Sequence, residues 1–115
     1  MNKDCIFCKI INKEIATNFE YENDEVVAFY DINPRAPIHI LVVPKLHIEK
    51  LLDLYLHHRD LIANLILVAN EVAKKKNIAD TGYRIVINCN KDAGQAVFHL
   101  HLHLLGGKRM SWSPA

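Results

Sequence analysis

A strictly alternating run near the end of the chain, His99-Leu100-His101-Leu102-His103-Leu104-Leu105, constrains the fold more than any other feature. In a β-strand successive side chains point to opposite faces, so the run predicts a strand whose leucines enter a core and whose three imidazoles share the other face. A merely polar sheet face does not require imidazole, which changes charge near neutral pH and offers two distinct ring nitrogens. The run therefore indicates a functional site, either for a metal or for acid–base or nucleophilic chemistry.

The composition describes one globular domain, which we place at residues 1–115. The chain has 115 residues, of which 50% are hydrophobic and 23% charged, and its net charge of +1 predicts no field that attracts nucleic acid or an anionic membrane. Neither a secretion signal nor an apolar stretch of the ~18 residues that a membrane span needs is apparent. The three cysteines, an odd number, favour a reducing compartment over a disulfide framework. We expect a cytoplasmic protein that binds neither nucleic acid nor membrane.

Apolar periodicity and turn residues along the rest of the chain predict an α+β fold. The expected elements are a short helix over 6–11 capped by Asp4, strands over 19–22, 26–30 and 38–43, a long amphipathic helix over 53–76, and strands over 83–88 and 97–105. This order is typical of a five-stranded antiparallel sheet with one short and one long helix. His57 and His58 fall within the long helix, as exposed residues without a role.

Cys5 and Cys8 are separated by two residues, a spacing that three kinds of site share. They could form a redox pair, supply half of a zinc site, or be two buried small residues on one helix face. No thioredoxin-like βαβ pattern surrounds them, which disfavours the redox pair. A structural zinc site has about four ligands, and Cys89 is distant in the sequence, so histidines would have to complete such a site.

Several segments together resemble the histidine triad family, whose signature is His-x-His-x-His followed by two apolar residues. The resemblance covers nearly the whole chain. Besides the triad, it includes residues 5–11, 29–34, 36–39, 43–47 and 94–98. Trp112 and Pro114, which follow Gly106-Gly107, are similar to the C-terminal tail of the family's Hint branch.

The resemblance implies an enzyme that transfers or hydrolyses nucleoside 5′-monophosphates through a covalent nucleotidyl-histidine. The nucleophile would be the middle histidine, His101, with one ring nitrogen held by the backbone carbonyl of His99. His103 and His39 would bind phosphate oxygens, where negative charge develops in the transition state. The leading expectation is a hydrolase of purine nucleoside phosphoramidates of the AMP–amine or aminoacyl-adenylate type. A diadenosine polyphosphate hydrolase and a nucleotide-binding regulatory protein with weak activity are the alternatives.

The resemblance also implies a nucleotide-binding site. Asp31 would accept hydrogen bonds from the ribose hydroxyls, and Trp112 would reach the active site of a partner chain. Five apolar residues would wall the base and one loop would surround the phosphate: Ile6, Phe7, Ile10, Phe29 and Ile32 for the base, and Asn88, Gly94, Gln95 and Ala96 for the phosphate. The residues alone leave simpler roles open, because an Asp before Asn-Pro is a common turn cap, apolar side chains suit a core, and Gly94 could serve only a positive φ.

Two positions depart from the family's pattern. Ala96 stands where a Ser or Thr is usual, and a hydroxyl there would donate to the phosphate or to the leaving group. We therefore expect a lower rate or an altered leaving-group preference. Asn90 replaces a common Gly in the preceding loop, which bears on the conformation of that loop.

A structural zinc ion and a homodimer are further implications of the resemblance. Bacterial members complete the cysteine pair with two histidines, here His47 and His99. The long helix and the strand over 83–88 would pair with their symmetry mates and continue the sheet across a two-fold dimer. Two features of the residues themselves also favour a dimer, since a five-stranded sheet leaves an edge and the helix carries more apolar positions than one buried stripe needs.

Overall fold

Five β-strands form an antiparallel sheet in the computed structural model, which describes residues 4–111. The elements are α1 (Ile6–Ile11), β1 (Tyr21–Glu22), β2 (Val26–Tyr30), β3 (Ile38–Pro44), α2 (Arg59–Lys75), β4 (Tyr83–Val86) and β5 (Leu102–Gly106). The strands lie in the order β1-β2-β3-β5-β4, and single 3₁₀ turns occupy Leu51–Asp53, Leu56–His58 and Lys91–Ala93. The predicted α+β class, with one short and one long helix, is confirmed. No helix within residues 4–111 is long and apolar enough to cross a membrane.

Each face of the sheet packs against one helix. On the face toward α2, alternate strand residues are buried together with one side of that helix: Val26, Ala28, Ile40, Val42, Leu102 and Leu104 with Leu61, Leu65, Val68, Ala69 and Val72. On the opposite face, a smaller core joins the strands to α1: Val27, Phe29, Leu41 and Val43 with Phe7, Cys8 and Ile10. Because strand side chains alternate, the positions between the α2-facing residues of β3 and β5 all turn toward α1.

The long helix begins at Arg59 rather than at the predicted residue 53. Leu54 and Tyr55 have extended backbone angles, which separate the first 3₁₀ turn from the second, and the second turn leads directly into α2. The backbone N–H of Tyr55 donates to Nδ1 of His58 at 3.0 Å, so the imidazole of His58 holds the second turn. This contact caps the start of the helical segment that leads into α2. His58 therefore has a local structural contact, and the prediction that it has no functional role stays a prediction.

The last strand begins at Leu102 rather than at residue 97, and β4 ends at Val86 rather than at residue 88. The reason lies in β3, which pairs Val42 with Leu102 and ends at Pro44. Proline has no N–H to continue a strand ladder. The carbonyl oxygen of Pro44 instead accepts a hydrogen bond from Nε2 of His99 at 2.8 Å. A side chain thus takes the place of the next strand hydrogen bond.

The first helix is capped by Cys5 and not by the predicted Asp4. The thiol sulfur of Cys5 accepts a hydrogen bond from the backbone N–H of Cys8 at 3.3 Å. Both cysteines are buried against the sheet. The start of α1 is therefore held at the same place where the two sulfur atoms meet the histidine run.

Candidate active site and metal site

Three histidines lie on the sheet face that α1 covers. His103 is in β5 opposite Leu41, whereas His99 and His101 lie in the segment just before β5 and contact α1. The leucine between these two, Leu100, is buried in the core under α2. The predicted alternation is therefore confirmed along the whole run, although only its second half is strand.

His101 has one ring nitrogen held as a donor and the other left with a lone pair. Its Nδ1 lies 2.7 Å from the backbone carbonyl oxygen of His99, the contact that the family resemblance implies. A carbonyl oxygen can only accept, so in the neutral ring Nδ1 carries the proton and Nε2 the lone pair. His101 is 8% exposed, and burial lowers its pKa below the ordinary 6.5. The ring is thus kept neutral at pH 7, the form in which imidazole is a nucleophile.

A chain of hydrogen bonds fixes the protons of His39 and His103. The backbone N–H of Arg35 donates to Nδ1 of His39 at 3.0 Å, so the proton of neutral His39 lies on Nε2. That nitrogen is 2.9 Å from Nδ1 of His103, which must accept and therefore carries its own proton on Nε2. Burial lowers the pKa of His39, and it lowers the pKa of His103 to about 4. Two neutral rings in series thus prepare His103 as a donor through Nε2.

Asp31 lies beside this chain with its two carboxylate oxygens in different surroundings. Oδ1 accepts from the backbone N–H of Asn33 at 2.8 Å, the turn-capping contact that this sequence favours. Oδ2 lies 3.5 Å from Nε2 of His39, and the side chain is 19% exposed. The two proposed roles of this residue, turn cap and ligand contact, are therefore compatible because each uses a different oxygen.

The donor atoms of Asp31, His39 and His103 lie within 4.8 Å of one another, a spacing that a metal ion could bridge. The hydrogen bonding argues against a metal there. Coordination through Nε2 of His39 would move the ring proton to Nδ1, where it would face the N–H of Arg35. Two hydrogens would then point at each other, so this group suits hydrogen bonding to an anionic ligand better than cation binding.

The loop over residues 88–97 precedes the triad and contains two residues with positive φ. Asn90 has φ 71° and ψ −176°, and Gly94 has φ 89°. The asparagine that replaces a usual glycine therefore keeps a glycine-like backbone. Gln95 is buried within the loop, whereas Asn88 is half-buried and Ala96 is exposed. Their contact with a phosphate stays a prediction.

The five apolar residues predicted to wall the base fall into two groups. Phe7, Ile10 and Phe29 are buried in the core under α1, the simpler role that their hydrophobicity favours. Ile6 and Ile32 are 48% and 92% exposed, so these two offer most of the apolar surface to a ligand. Trp112 lies outside the described residues.

Sequence reasoning missed three contacts that organise the site. The N–H of Arg35 and the carbonyl of Pro44 are backbone groups, which every position offers and which therefore leave no mark in a sequence. The third is a packing contact, because the ring of Phe7 lies edge-on to His99 and His101, with ring centroids 5.9 and 5.1 Å apart. Phe7, assigned only to the base pocket, thus also supports the two histidines from α1.

A cluster of sulfur and nitrogen atoms adjoins the triad. Sγ of Cys5 lies 3.2 Å from Nδ1 of His99, Sγ of Cys8 lies 3.3 Å from Nδ1 of His47, and the two Nδ1 atoms are 3.1 Å apart. All four donor atoms lie within 4.8 Å of one another. The four residues that the resemblance implies as ligands are therefore brought together, and the cluster could hold a metal.

The chemistry of this cluster fits a tetrahedral ion. Bonds of about 2.3 Å to sulfur and 2.0–2.1 Å to nitrogen place tetrahedral ligand atoms roughly 3.3–3.8 Å apart, near the distances seen here. The Nε2–H of His99 donates to Pro44, which leaves a lone pair on Nδ1 facing the thiols. Burial lowers the pKa of His99 to about 4, so the ring is neutral, as a ligand must be. His99 thus contributes its ring to the cluster and its carbonyl to His101.

Comparisons with known proteins agree with this geometry. The HIT domain model matches residues 12–110. The chain is 43% identical over 108 residues to the purine nucleoside phosphoramidase of Escherichia coli strain K12, which covers 94% of this chain and 91% of that protein. It is 44% identical over 113 residues to a 14 kDa zinc-binding protein of Brassica juncea, with 96% and 99% covered. A HIT family hydrolase from Clostridium thermocellum has a TM-score of 0.97 and 42% identity, with 100% of both chains covered.

Proposed function

The chain belongs to the HIT domain family, and on that premise we propose that it hydrolyses purine nucleoside 5′-phosphoramidates through a nucleotidyl-histidine formed on His101. The observation that carries the proposal is the 2.7 Å contact between Nδ1 of His101 and the carbonyl oxygen of His99. It holds one nitrogen as a donor and leaves the other as a neutral nucleophile. The 43% identity to a purine nucleoside phosphoramidase supports the substrate class.

The reaction has two steps. Nε2 of His101 forms a bond to the phosphorus atom as the P–N bond of the substrate breaks, and the amine takes up a proton from solvent as it leaves. Water then attacks the phosphorus atom and the bond from phosphorus to Nε2 breaks, which releases the nucleoside monophosphate and restores His101. The proton that this water loses to solvent balances the one that the amine took up. Each step gathers negative charge on the phosphoryl oxygens, which donors already in place would stabilise.

His103 supplies such a donor through its Nε2–H. His39, expected to contact the phosphate itself, directs its own Nε2 toward Nδ1 of His103 at 2.9 Å and so keeps the His103 proton on the outer nitrogen. The backbone N–H of Arg35 donates to Nδ1 of His39 and so keeps the His39 proton on Nε2. The donor at the phosphate therefore depends on the loop before β3, which carries Arg35, and on β3 and β5, which carry His39 and His103.

The nucleoside would lie beside Asp31, on the side of the sheet that carries α1. Oδ2 of Asp31 would accept from the ribose hydroxyls, since Oδ1 is taken by the turn at Asn33. Ile6 and Ile32 would contact the base. Buried Phe7 and Phe29 would support the pocket from behind rather than line it.

We also propose that the metal held by Cys5, Cys8, His47 and His99 is zinc. Thiolate and imidazole are the ligands of structural zinc sites, and a relative at 44% identity is named a zinc-binding protein. When bound, the ion would cross-link α1 to the segment that follows β3 and to the segment that precedes β5, and so stabilise the fold. The chain's own residues would perform the chemistry.

Comparing two substrates tests the proposed activity. An adenosine 5′-phosphoramidate should be turned over faster than diadenosine tetraphosphate. Faster cleavage of the dinucleotide would establish the diadenosine polyphosphate hydrolase instead. Binding of AMP without turnover of either compound would favour the regulatory protein, for which the missing hydroxyl at Ala96 is the supporting observation.

Replacing the nucleophile tests the mechanism. His101→Ala should abolish turnover and leave AMP affinity within about tenfold, because the base and ribose contacts remain. His57→Ala, an exposed histidine in the segment before α2, is the matched control and should retain full activity. Quenched reactions analysed by peptide mass spectrometry should place the nucleotidyl group on His101. A modified His99 or His103 would refute the assignment.

A further inference from the structure

The side chain of Gln95 is buried within the loop that precedes the triad. Its Oε1 accepts from the backbone N–H of Asn90 at 2.8 Å. Its Nε2 donates to the carbonyl oxygens of Glu49 at 2.7 Å and of Val97 at 3.1 Å. Gln95 is 6% exposed, and both hydrogens of its amide have acceptors inside the protein. A phosphate could contact this amide only by displacing one of them.

Asn90 occupies a backbone region that is essentially restricted to glycine, with φ 71° and ψ −176°. A residue with a Cβ stays in such a region only when its surroundings impose it. Two hydrogen bonds do so here, because Asn90 donates to the side chain of Gln95 and the N–H of Gln95 donates back to the carbonyl of Asn90 at 3.1 Å. They close a ring across the Lys91–Ala93 turn.

The same amide ties this loop to the segment that carries His47. Glu49, whose carbonyl accepts from Gln95, lies two residues after His47. The neighbouring carbonyl of Ile48 accepts from the N–H of Leu100, between the first two histidines of the triad, at 2.7 Å. Gln95 therefore connects the loop before the triad to the chain that holds the triad in place.

We propose that Gln95 is a positioning residue, whose buried amide clamps residues 88–96 in shape and imposes the glycine-like backbone at Asn90. The inference rests on the proposed function for its consequence, since that function sets this loop around the phosphate. It replaces the expectation that the Gln95 side chain binds the nucleotide. A glycine at position 90 would adopt this backbone without help, so the clamp is needed because this chain has asparagine there.

Kinetics of a variant pair test the clamp. Gln95→Met keeps much of the side-chain volume and loses all three hydrogen bonds. With an adenosine phosphoramidate as substrate, kcat should fall about tenfold or more and KM should change less than about threefold, since the base and ribose contacts lie on other elements. Asn90→Gly in the same chain should restore most of kcat. Asp92→Ala, an exposed residue of the same turn, is the control and should leave kcat and KM unaltered.

Amide hydrogen exchange tests the clamp without any reference to activity. The Asn90 N–H should exchange at least about tenfold faster in Gln95→Met than in the wild type. If Gln95→Met does not fold, Asn90→Ala probes the same clamp with Gln95 intact, and it should lower both Tm and kcat because alanine is strained at this φ.

Three results would overturn the inference. One is a rise of more than about tenfold in KM and in the Kd for AMP with kcat unaltered, which would make Gln95 a nucleotide contact. The others are unaltered exchange at Asn90 and the absence of rescue by Asn90→Gly. A wild-type protein that does not cleave phosphoramidates would refute the proposed function alone, and the exchange measurement would still decide the clamp.

Discussion

Backbone groups of other residues set the proton positions on three of the site's imidazoles, and a side chain sets that of the fourth, His103. Pro44 orients His99, the carbonyl of His99 orients His101, and Arg35 orients His39, which in turn orients His103. Backbone groups do not titrate, so for His39, His99 and His101 lowering the pH changes how many protons the rings carry and not which nitrogen of a neutral ring carries its proton.

Stability should depend on the protonation of His103. Its pKa is lowered by burial to about 4 in the folded protein, against 6.5 for an exposed histidine. As the pH falls, the unfolded chain therefore takes up this proton before the folded protein does. The contribution of neutral His103 to the free energy of unfolding is complete above pH 6.5 and is lost as the pH falls toward 4. Tm measured between pH 7 and pH 5 should fall, and it should fall less in His103→Gln, which cannot titrate. An identical pH dependence in the two proteins would contradict this.

At this scale the sequence identifies which residues matter better than how they act. His101 and His103 stand out because imidazole is a rare choice in an alternating strand, whereas only the family resemblance singles out Asp31. The proton positions on the two imidazoles depend on the backbone carbonyl of His99 and, through His39, on the backbone N–H of Arg35, which are groups that leave no mark in a sequence. The family resemblance alone assigns Gln95 to the ligand, and its contact with the carbonyl of Glu49, 46 residues away, cannot be read from the sequence.

Among the elements, α1 is the one that depends most on side-chain chemistry. It has six residues, fewer than an isolated helix needs to be stable in water. Cys5 caps it, and Cys5 and Cys8 attach it to His47 and His99. Phe7, between the two cysteines, packs on two histidines of the triad. A displacement of α1 should therefore alter the positions of His99 and His101.

Removing the metal ligands of α1 should destabilise the protein. The purified wild type should contain about one zinc ion per chain, and Cys5→Ser/Cys8→Ser should contain none and melt at a lower temperature, since metal binding is coupled to folding. Metal analysis by mass spectrometry and calorimetric Tm would test both. Cys89→Ser, a half-buried cysteine outside the cluster, is the control and should keep its metal. A wild-type protein that is stripped of metal without a change in Tm would refute the structural role.

Element types were predictable and several boundaries were not. Periodicity places β2, β3 and α2, but it does not show the extended backbone at Leu54 and Tyr55 that interrupts the predicted helix. It also extends the last strand to residue 97, because alternation continues there while the pairing partner ends at Pro44. Side-chain alternation requires only an extended backbone, whereas the end of a strand depends on where the neighbouring strand stops pairing.

For the whole molecule, we propose a two-fold dimer that continues the sheet. β4 lies at the edge of the sheet, where its outer hydrogen-bonding groups face away from β5. α2, which buries one side against the sheet, exposes Ile62, Ile66 and Leu67 by 37%, 37% and 61% on another. An exposed sheet edge and an apolar helix surface in one chain suit self-association.

Sedimentation at micromolar concentration should give a dimer. Ile66→Asp should shift it to the monomer without unfolding, because a carboxylate would be buried in the interface. Ile15→Asp is a close control, since Ile15 is also 37% exposed but follows α1 on the other side of the sheet. A monomeric wild type would refute the dimer. In the dimer, Trp112→Ala should alter the preference among phosphoramidates, and an unaltered preference would show that the tail does not reach the partner's site.

His99 takes part in two sites through two different parts of the same residue. The carbonyl that holds His101 belongs to the main chain and survives any substitution, whereas the ring that faces the two cysteines does not. Selection for the reaction alone would therefore tolerate other side chains at position 99. In a lineage that dispensed with the metal, the first histidine of the triad would be the one open to drift, while the second and third would stay under constraint.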